Sequence, residues 1–148
     1  MPSSQAQIIQ EYALHDYEWG RYDCITLTNA LLASYGLDPV EQTYSTQSYE
    51  NALQGAQSAP DGGLAGVYDR VLLAHPAISL VSGAYHPFDL VLLQGELLFK
   101  GGGSSTSGSP ASLGVVGPDF GVYAFRSVGL REVFTDREDP AYRIHPPG

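Results

Sequence analysis

The chain has 148 residues, with 7 basic side chains against 16 acidic ones, a formal net charge of −9 and a single cysteine. That length suits one domain, which buries about 68–70% of the surface its unfolded chain exposes, and residues 1–148 are expected to fold as one unit. The lone cysteine rules out an internal disulfide framework and a cysteine-based zinc cluster, the acidic balance offers no footprint for nucleic acid, and no window approaches the ~18 apolar residues of a membrane span.

The opening MPSSQAQIIQEYALHDYEWG has neither a basic start nor a continuous apolar stretch, so no secretory signal is expected. Ser3 and Ser4 are candidate N-caps for a helix over QAQIIQEYAL, where Ile8, Ile9, Tyr12 and Ala13 recur at helical spacing. A turn follows at Tyr17, Trp19 and Gly20. The run DCITLTNALLASYG predicts a second helix with Ile25, Leu27, Leu31 and Leu32 inward, Asp23 as its cap and Gly36 as its left-handed stop. A third short helix is expected from Ser45 or Thr46, carrying Tyr49, Ala52 and Leu53. A fourth is expected from Leu64 to Ala74, between the Pro60-Asp61-Gly62-Gly63 turn and Pro76.

From residue 84 the pattern changes. FDLVLL, ELLFK, SLGVVG, GVYAFR and GLREVF are short runs rich in β-branched, aliphatic and aromatic residues, separated by turn residues. Gln94-Gly95 reads as the turn of a first hairpin and Pro118-Asp119-Phe120-Gly121 as that of another. Helices first and strands second is the α+β pattern of helices packed on one face of an antiparallel sheet. GGGSSTSGSPAS, residues 101–112, is uncharged and of low complexity. It predicts a flexible loop, because it has little to bury and glycine loses the most freedom on ordering. A loop that orders against a partner protein is the sharper reading of the same segment.

The informative cluster is Tyr17-Glu18-Trp19-Gly20-Arg21-Tyr22-Asp23-Cys24. A cysteine just inside a helix start lies at the positive end of the helix dipole, which favours a thiolate and raises reactivity. Free cysteine is equally a small hydrophobe and among the most buried residue types. Both readings of Cys24 stand on position alone.

A Trp-Gly turn, Asp-Cys opening an apolar helix and Tyr-Gly-Leu-Asp at its end resemble the N-terminal half of the NlpC/P60 peptidases, and more closely a small NlpC/P60-like family common in phage tail gene clusters. Phe88-Asp89-Leu90-Val91-Leu92-Leu93 matches a segment usually written Gly-Asp-Leu/Val, with Phe88 where the family has Gly. Ser112-Leu113-Gly114-Val115-Val116-Gly117 matches the following strand, and Val122–Phe125, Gly129–Val133 and Asp139–Arg143 track the rest. The resemblance covers roughly residues 8–144. It implies a papain-like α+β fold, with N-terminal helices on a C-terminal antiparallel sheet or half-barrel. In active members the helix-start Cys attacks a peptide amide of bacterial cell-wall stems and a strand-borne His is the base. Such chemistry needs nucleophile and base within hydrogen-bond reach and a third group orienting the base.

The chain departs from the family at those positions. The family's His precedes the strand glycine, here Gly114, by two positions, and Ser112 stands there. The third polar group falls near Ala124. A serine hydroxyl is no base at neutral pH. Of the other histidines, His86 is the best stand-in, just before a core strand; His15 ends the first helix, and His75 and His145 read as solvated, each beside a proline. No histidine spacing suits a metal, and no cofactor is expected. Among the ten tyrosines, Tyr17 reads with Trp19 as a core aromatic fixing the turn, while surface tyrosines suit a protein interface.

Two functions follow from the resemblance. One is a structural component of a bacteriophage tail tip or baseplate built on a catalytically degenerate domain, with Trp19, Gly20, Asp23, Cys24, Ser112 and Gly114 as the vestige of the site. Its partners are then other tail proteins, its place is the virion after synthesis in the host cytoplasm, and it is not an enzyme. The alternative is a cysteine amidase or endopeptidase acting on the bacterial cell wall, with Cys24 as nucleophile and His86 as base. A third reading, an unrelated binding role on the same fold, stands because fold does not fix function.

Overall fold

Ser4 caps the first helix, α1 (Gln5–Leu14): its Oγ accepts from the Gln7 N–H, and the Gln7 side chain accepts from the Ser4 N–H. This capping box satisfies two donors that a helix start otherwise leaves bare. α2 (Cys24–Ser34) begins on Asp23 in the same reciprocal way with Thr26, and stops at Gly36, φ 75°. These descriptions come from a computed structural model that describes residues 4–18, 21–40, 63–94, 97–105, 111–126, 129–135 and 137–146. The helix expected from Ser45 or Thr46, and Trp19 and Gly20, lie outside the described residues. α3 (Gly63–Leu73) is the last helix expected, one residue shifted at each end.

Six strands form one antiparallel sheet in the order β1 (Ile78–Val81), β8 (Ala141–Ile144), β2 (Leu90–Gln94), β5 (Ala111–Val116), β6 (Val122–Arg126) and β7 (Gly129–Glu132). A two-stranded piece pairs β3 (Leu97–Leu98) with β4 (Ser104–Ser105). The α+β class expected from the sequence is therefore what the chain adopts. Alternation along the strands divides the interior between the two faces of the sheet. Leu90, Leu92, Leu113, Val115, Leu130 and Tyr142 meet Ile8, Ile9, Tyr12, Leu27, Leu31 and Leu72 of the helices. Val91, Leu93, Val116, Val122, Ala124 and Ala141 form a second core with Tyr85, Leu97 and Phe99. Each fully buried aliphatic side chain contributes roughly 1.5–3 kcal/mol by its removal from water.

One expectation fails here and another is met only in part. β2 does not form a hairpin with β3 across Gln94-Gly95. It lies inside the sheet, its two hydrogen-bonding edges taken by β5 and β8 and its alternating side chains buried in the cores on the two faces. β3 turns instead towards the far edge, where the Phe99–Val133 bridge and the Phe134 N–H on the Leu98 carbonyl cover the strand after β7. The 101–112 segment is not loop throughout. Gly101–Gly103 turn the chain, Ser104 and Ser105 pair with β3, and Ala111 and Ser112 begin β5. ISLV, ahead of the region read as β, supplies β1, and AYRI, within that region, supplies a central β8. The expected Pro118–Gly121 turn joins β5 to β6, closed by the Gly121 carbonyl accepting from the Gly117 N–H. Among the described residues no helix is long and apolar enough to cross a membrane.

Candidate functional site

Cys24 is the first residue of α2, directly after the capping carboxylate. Asp23 Oδ1 accepts from the Ile25 N–H (3.0 Å) and the Thr26 N–H (2.8 Å), so the free amides of the first turn are occupied by Asp23 rather than turned towards the thiol. The thiol faces inward, 7% exposed, in the core shared by the helices and sheet. Its Sγ lies 3.1 Å from the Tyr68 hydroxyl, in hydrogen-bond contact. Tyr68 is itself buried on α3, and the next residue, Asp69, accepts from the Tyr142 hydroxyl of β8 (2.6 Å). A latch between helix and sheet thus holds the tyrosine against the cysteine.

The electrostatics run against the reactive-thiol expectation. Burial pushes the Cys24 thiol up to about 12, and the neighbouring Asp23 charge pushes in the same direction. The Tyr68 contact and the Leu113 backbone oppose that rise without cancelling it. Burial first, then Cys24 itself, also drive the Tyr68 hydroxyl well above its ordinary value. The neutral pair is therefore the stable form at neutral pH. Desolvation outweighs the helix dipole here because the dipole effect is small, about 0.3–1 kcal/mol in exposed settings, whereas one pKa unit is about 1.4 kcal/mol.

No imidazole takes part. His86 is exposed, and its backbone N–H donates to Asp89 Oδ2 (2.9 Å). His15 is exposed at the end of α1 and stacks on Tyr22 at 4.1 Å. His145 is exposed, with Nε2 2.6 Å from Ser79 Oγ. His75 corrects the solvated reading: it is buried, its Nδ1 accepts from the Ala77 N–H (3.0 Å), and its Nε2 lies 2.7 Å from the Asp38 carbonyl. It holds the chain around the end of α3.

The strand positions named in the sequence also sort themselves by face. Ser112 pairs in register with Leu93, a residue of the second core. The β5 residue in the core of Cys24 is Leu113, an apolar side chain. Ala124 belongs to the second core, away from the thiol. Gly114 has a packing role: a Cβ there would lie 2.9 Å from Leu93 Cδ1 and from the Tyr123 carbonyl. Tyr17, half-buried, packs edge-on against Phe125 at 5.7 Å, while the Trp19-Gly20 part of the turn it was expected to fix lies outside the described residues. The residue sequence reasoning missed is Tyr68, and nothing local to it signals a thiol partner 44 positions away.

Among the described residues no group of three or more His, Cys, Asp or Glu side chains is placed to hold a metal ion. Cys24 in the folded chain is expected to react with iodoacetamide about 100-fold more slowly than in the urea-unfolded chain at the same pH, since a raised thiol pKa depletes the attacking thiolate. A single-exponential alkylation assay read by mass spectrometry checks this, and equal rates would refute the buried-pair geometry. Searches against family models, curated proteins and solved structures find no match to this chain.

Proposed function

We propose that this protein is a structural component of a bacteriophage tail tip or baseplate, built on a catalytically degenerate NlpC/P60-like domain. The observation that carries the degenerate half of this reading is the Cys24–Tyr68 pair. A phenol that itself resists ionisation stands against the thiol, where a cysteine peptidase needs a base. Leu113 fills the adjoining strand position in the same core. The resemblance to the family is supported at Phe88. Where the family has glycine, Phe88 adopts φ 71°, the left-handed region glycine enters freely. The capped Asp23-Cys24 helix start and the helices-on-one-face sheet agree with the same fold.

In this reading Cys24 is a packed remnant, its partners are other tail or baseplate proteins, and the domain reaches the cell envelope as part of the particle after assembly in the host cytoplasm. The test is a phage carrying Cys24→Ser. Particles are expected to assemble in normal number and to infect within about twofold of the parent, because exchanging the buried sulfur for oxygen, with the Tyr68 hydroxyl as its partner, is expected to change stability by about 1–2 kcal/mol. Purified wild-type protein is expected to release no stem peptide from cell-wall sacculi. Particles that assemble but cannot penetrate, together with peptide release that Cys24→Ser abolishes, would establish the amidase instead.

A further inference from the structure

An antiparallel strand bonds to each neighbour through every second residue, so the bonds already made fix which backbone groups face the other way. Between β1 and β8 the His145 N–H donates to the Ala77 carbonyl (2.7 Å), and between β2 and β8 the Leu92 N–H donates to the Pro140 carbonyl (2.9 Å). With Ile78 opposite Ile144 and Leu90 opposite Tyr142, the two bonds give the same phase. Ser79 and Val81 bond to β8, whereas Leu80 turns both its N–H and its carbonyl outward. β1 ends the sheet, and among the described residues no strand lies beyond it. The Leu80 side chain is 54% exposed, and Ser82, Gly83 and Ala84 after it lie in solvent.

The opposite edge of the sheet is closed by the chain itself. There the Lys100 N–H donates to the Glu132 carbonyl, the Phe134 N–H to the Leu98 carbonyl, and Arg131 Nη1 to the Leu130 carbonyl. β1 has no such cover among the described residues. It also lacks the usual protections of an open edge, a lysine, a proline or a bulge: it reads Ile-Ser-Leu-Val and runs in unbroken register. From Val71 to Phe88 there is no Asp, Glu, Lys or Arg, on a chain of net charge −9. Arg143, opposite Ser79 on β8, is bound to Asp89. Copies of so acidic a chain repel one another, and this uncharged edge is where two of them meet without setting like charges face to face. The edge is also its own complement. An antiparallel partner centred on Leu80 gives each Leu80 N–H the other's carbonyl, sets the two exposed leucines side by side and places Ser79 opposite Val81.

We propose that β1 pairs with β1 of a second copy, antiparallel about a two-fold axis at Leu80, so that two six-stranded sheets run on as one. The contact is isologous and consumes the open edge, and the far edge is covered, so assembly stops at the dimer. The inference stands whether or not the tail assignment does.

Sedimentation velocity on the purified protein is expected to give a species of twice the 15.9 kDa monomer mass, growing with concentration, and none larger. Leu80→Lys puts two ammonium groups together at the axis and is expected to be monomeric. A melting curve confirms that it folds, and Leu80→Glu replaces it if it does not. Oxidation of Leu80→Cys reads the register. Hydrogen-bonded antiparallel partners hold their Cα atoms about 5.5 Å apart, within the ~4.4–6.8 Å that a disulfide spans. This variant is expected to give at least about fivefold more covalent dimer than Leu98→Cys, whose site beside the other edge is as exposed (53%). A wild type that stays monomeric up to about 0.5 mM, where a contact of Kd 1 mM would already register, overturns the proposal. So do a wild type that grows past the dimer, a folded Leu80→Lys that still associates, and a Leu80→Cys that links no better than Leu98→Cys.

Discussion

Replacing Arg143 with methionine is expected to destabilise the fold by about 3–5 kcal/mol, the range measured when one partner of a buried ion pair is removed. Asp89 is 1% exposed, and Arg143 grips it in a bidentate contact along one edge of its guanidinium: Nε donates to Oδ1 and Nη2 to Oδ2, each at 2.9 Å. The same hydrogen bond and charge raise the pKa of Arg143 above its ordinary value. With the arginine gone, among the described residues Oδ1 keeps no donor and Oδ2 keeps the His86 N–H. The carboxylate is then left charged in a place water hardly reaches. Urea denaturation measures the loss. The double variant Asp89→Leu/Arg143→Met is expected to recover most of it, since the penalty belongs to the stranded charge rather than to the missing contact. A single variant within about 1 kcal/mol of wild type would show that the pair is solvated.

Gly129→Ala is expected to lower stability by about 3 kcal/mol, combining about 1–2 for a left-handed backbone with a β-carbon and about 1–3 for overpacking. Gly129 holds φ 107° at the start of β7, directly beneath the end of α1. A Cβ there would lie 2.7 Å from the carbonyl oxygens of Ala13 and His15 and 3.1 Å from that of Tyr12. Those oxygens are backbone, so the clash cannot be relieved by a side-chain rotation. The helix must lift, and it carries Ile8, Ile9 and Tyr12 of the core. At roughly 2–4 °C per kcal/mol for a chain of this size, the melting temperature should fall by about 6–12 °C. Gly101→Ala is the control: no atom lies within 4 Å of its added carbon, and its effect should stay within about 0.5 kcal/mol.

What the sequence made legible was local. Ser4, Asp23 and Gly36 act on residues within a turn of themselves, so their spacing alone placed the ends of α1 and α2. The Pro118–Gly121 turn was legible for the same reason. What depended on distant partners was not. The Cys24 thiol is held neutral first by burial, in a core that Tyr68 on another helix and Leu113 on a strand help to build. A helix-start position suggested reactivity because the local field is all that the sequence displays. The failed hairpin at Gln94-Gly95 has the same origin: the local pattern suggested adjacent strands, but the two edges of LVLLQ are taken by residues far along the chain. In β5 the chemistry turned on a shift of one residue. Position 112 is where the resemblance alone would place a histidine, while the pleat brings Leu113 into the core of Cys24.

The place of β8 sets when this protein can finish folding. Residues 141–144 lie between β1 and β2, and β8 is the neighbour through which β1 joins the six-stranded sheet. Until they arrive, β1 and β2 are strands with bare hydrogen-bonding edges, the kind that pair with the wrong chain. Tyr142 and Ala141 then enter the two cores at once, one on each face. Closure of the sheet around its own middle is a non-local event of the kind that takes milliseconds to seconds rather than microseconds. A ribosome making this chain therefore holds an open sheet until residues 141–144 have emerged, and the interval before β8 docks is when a chaperone has most to protect.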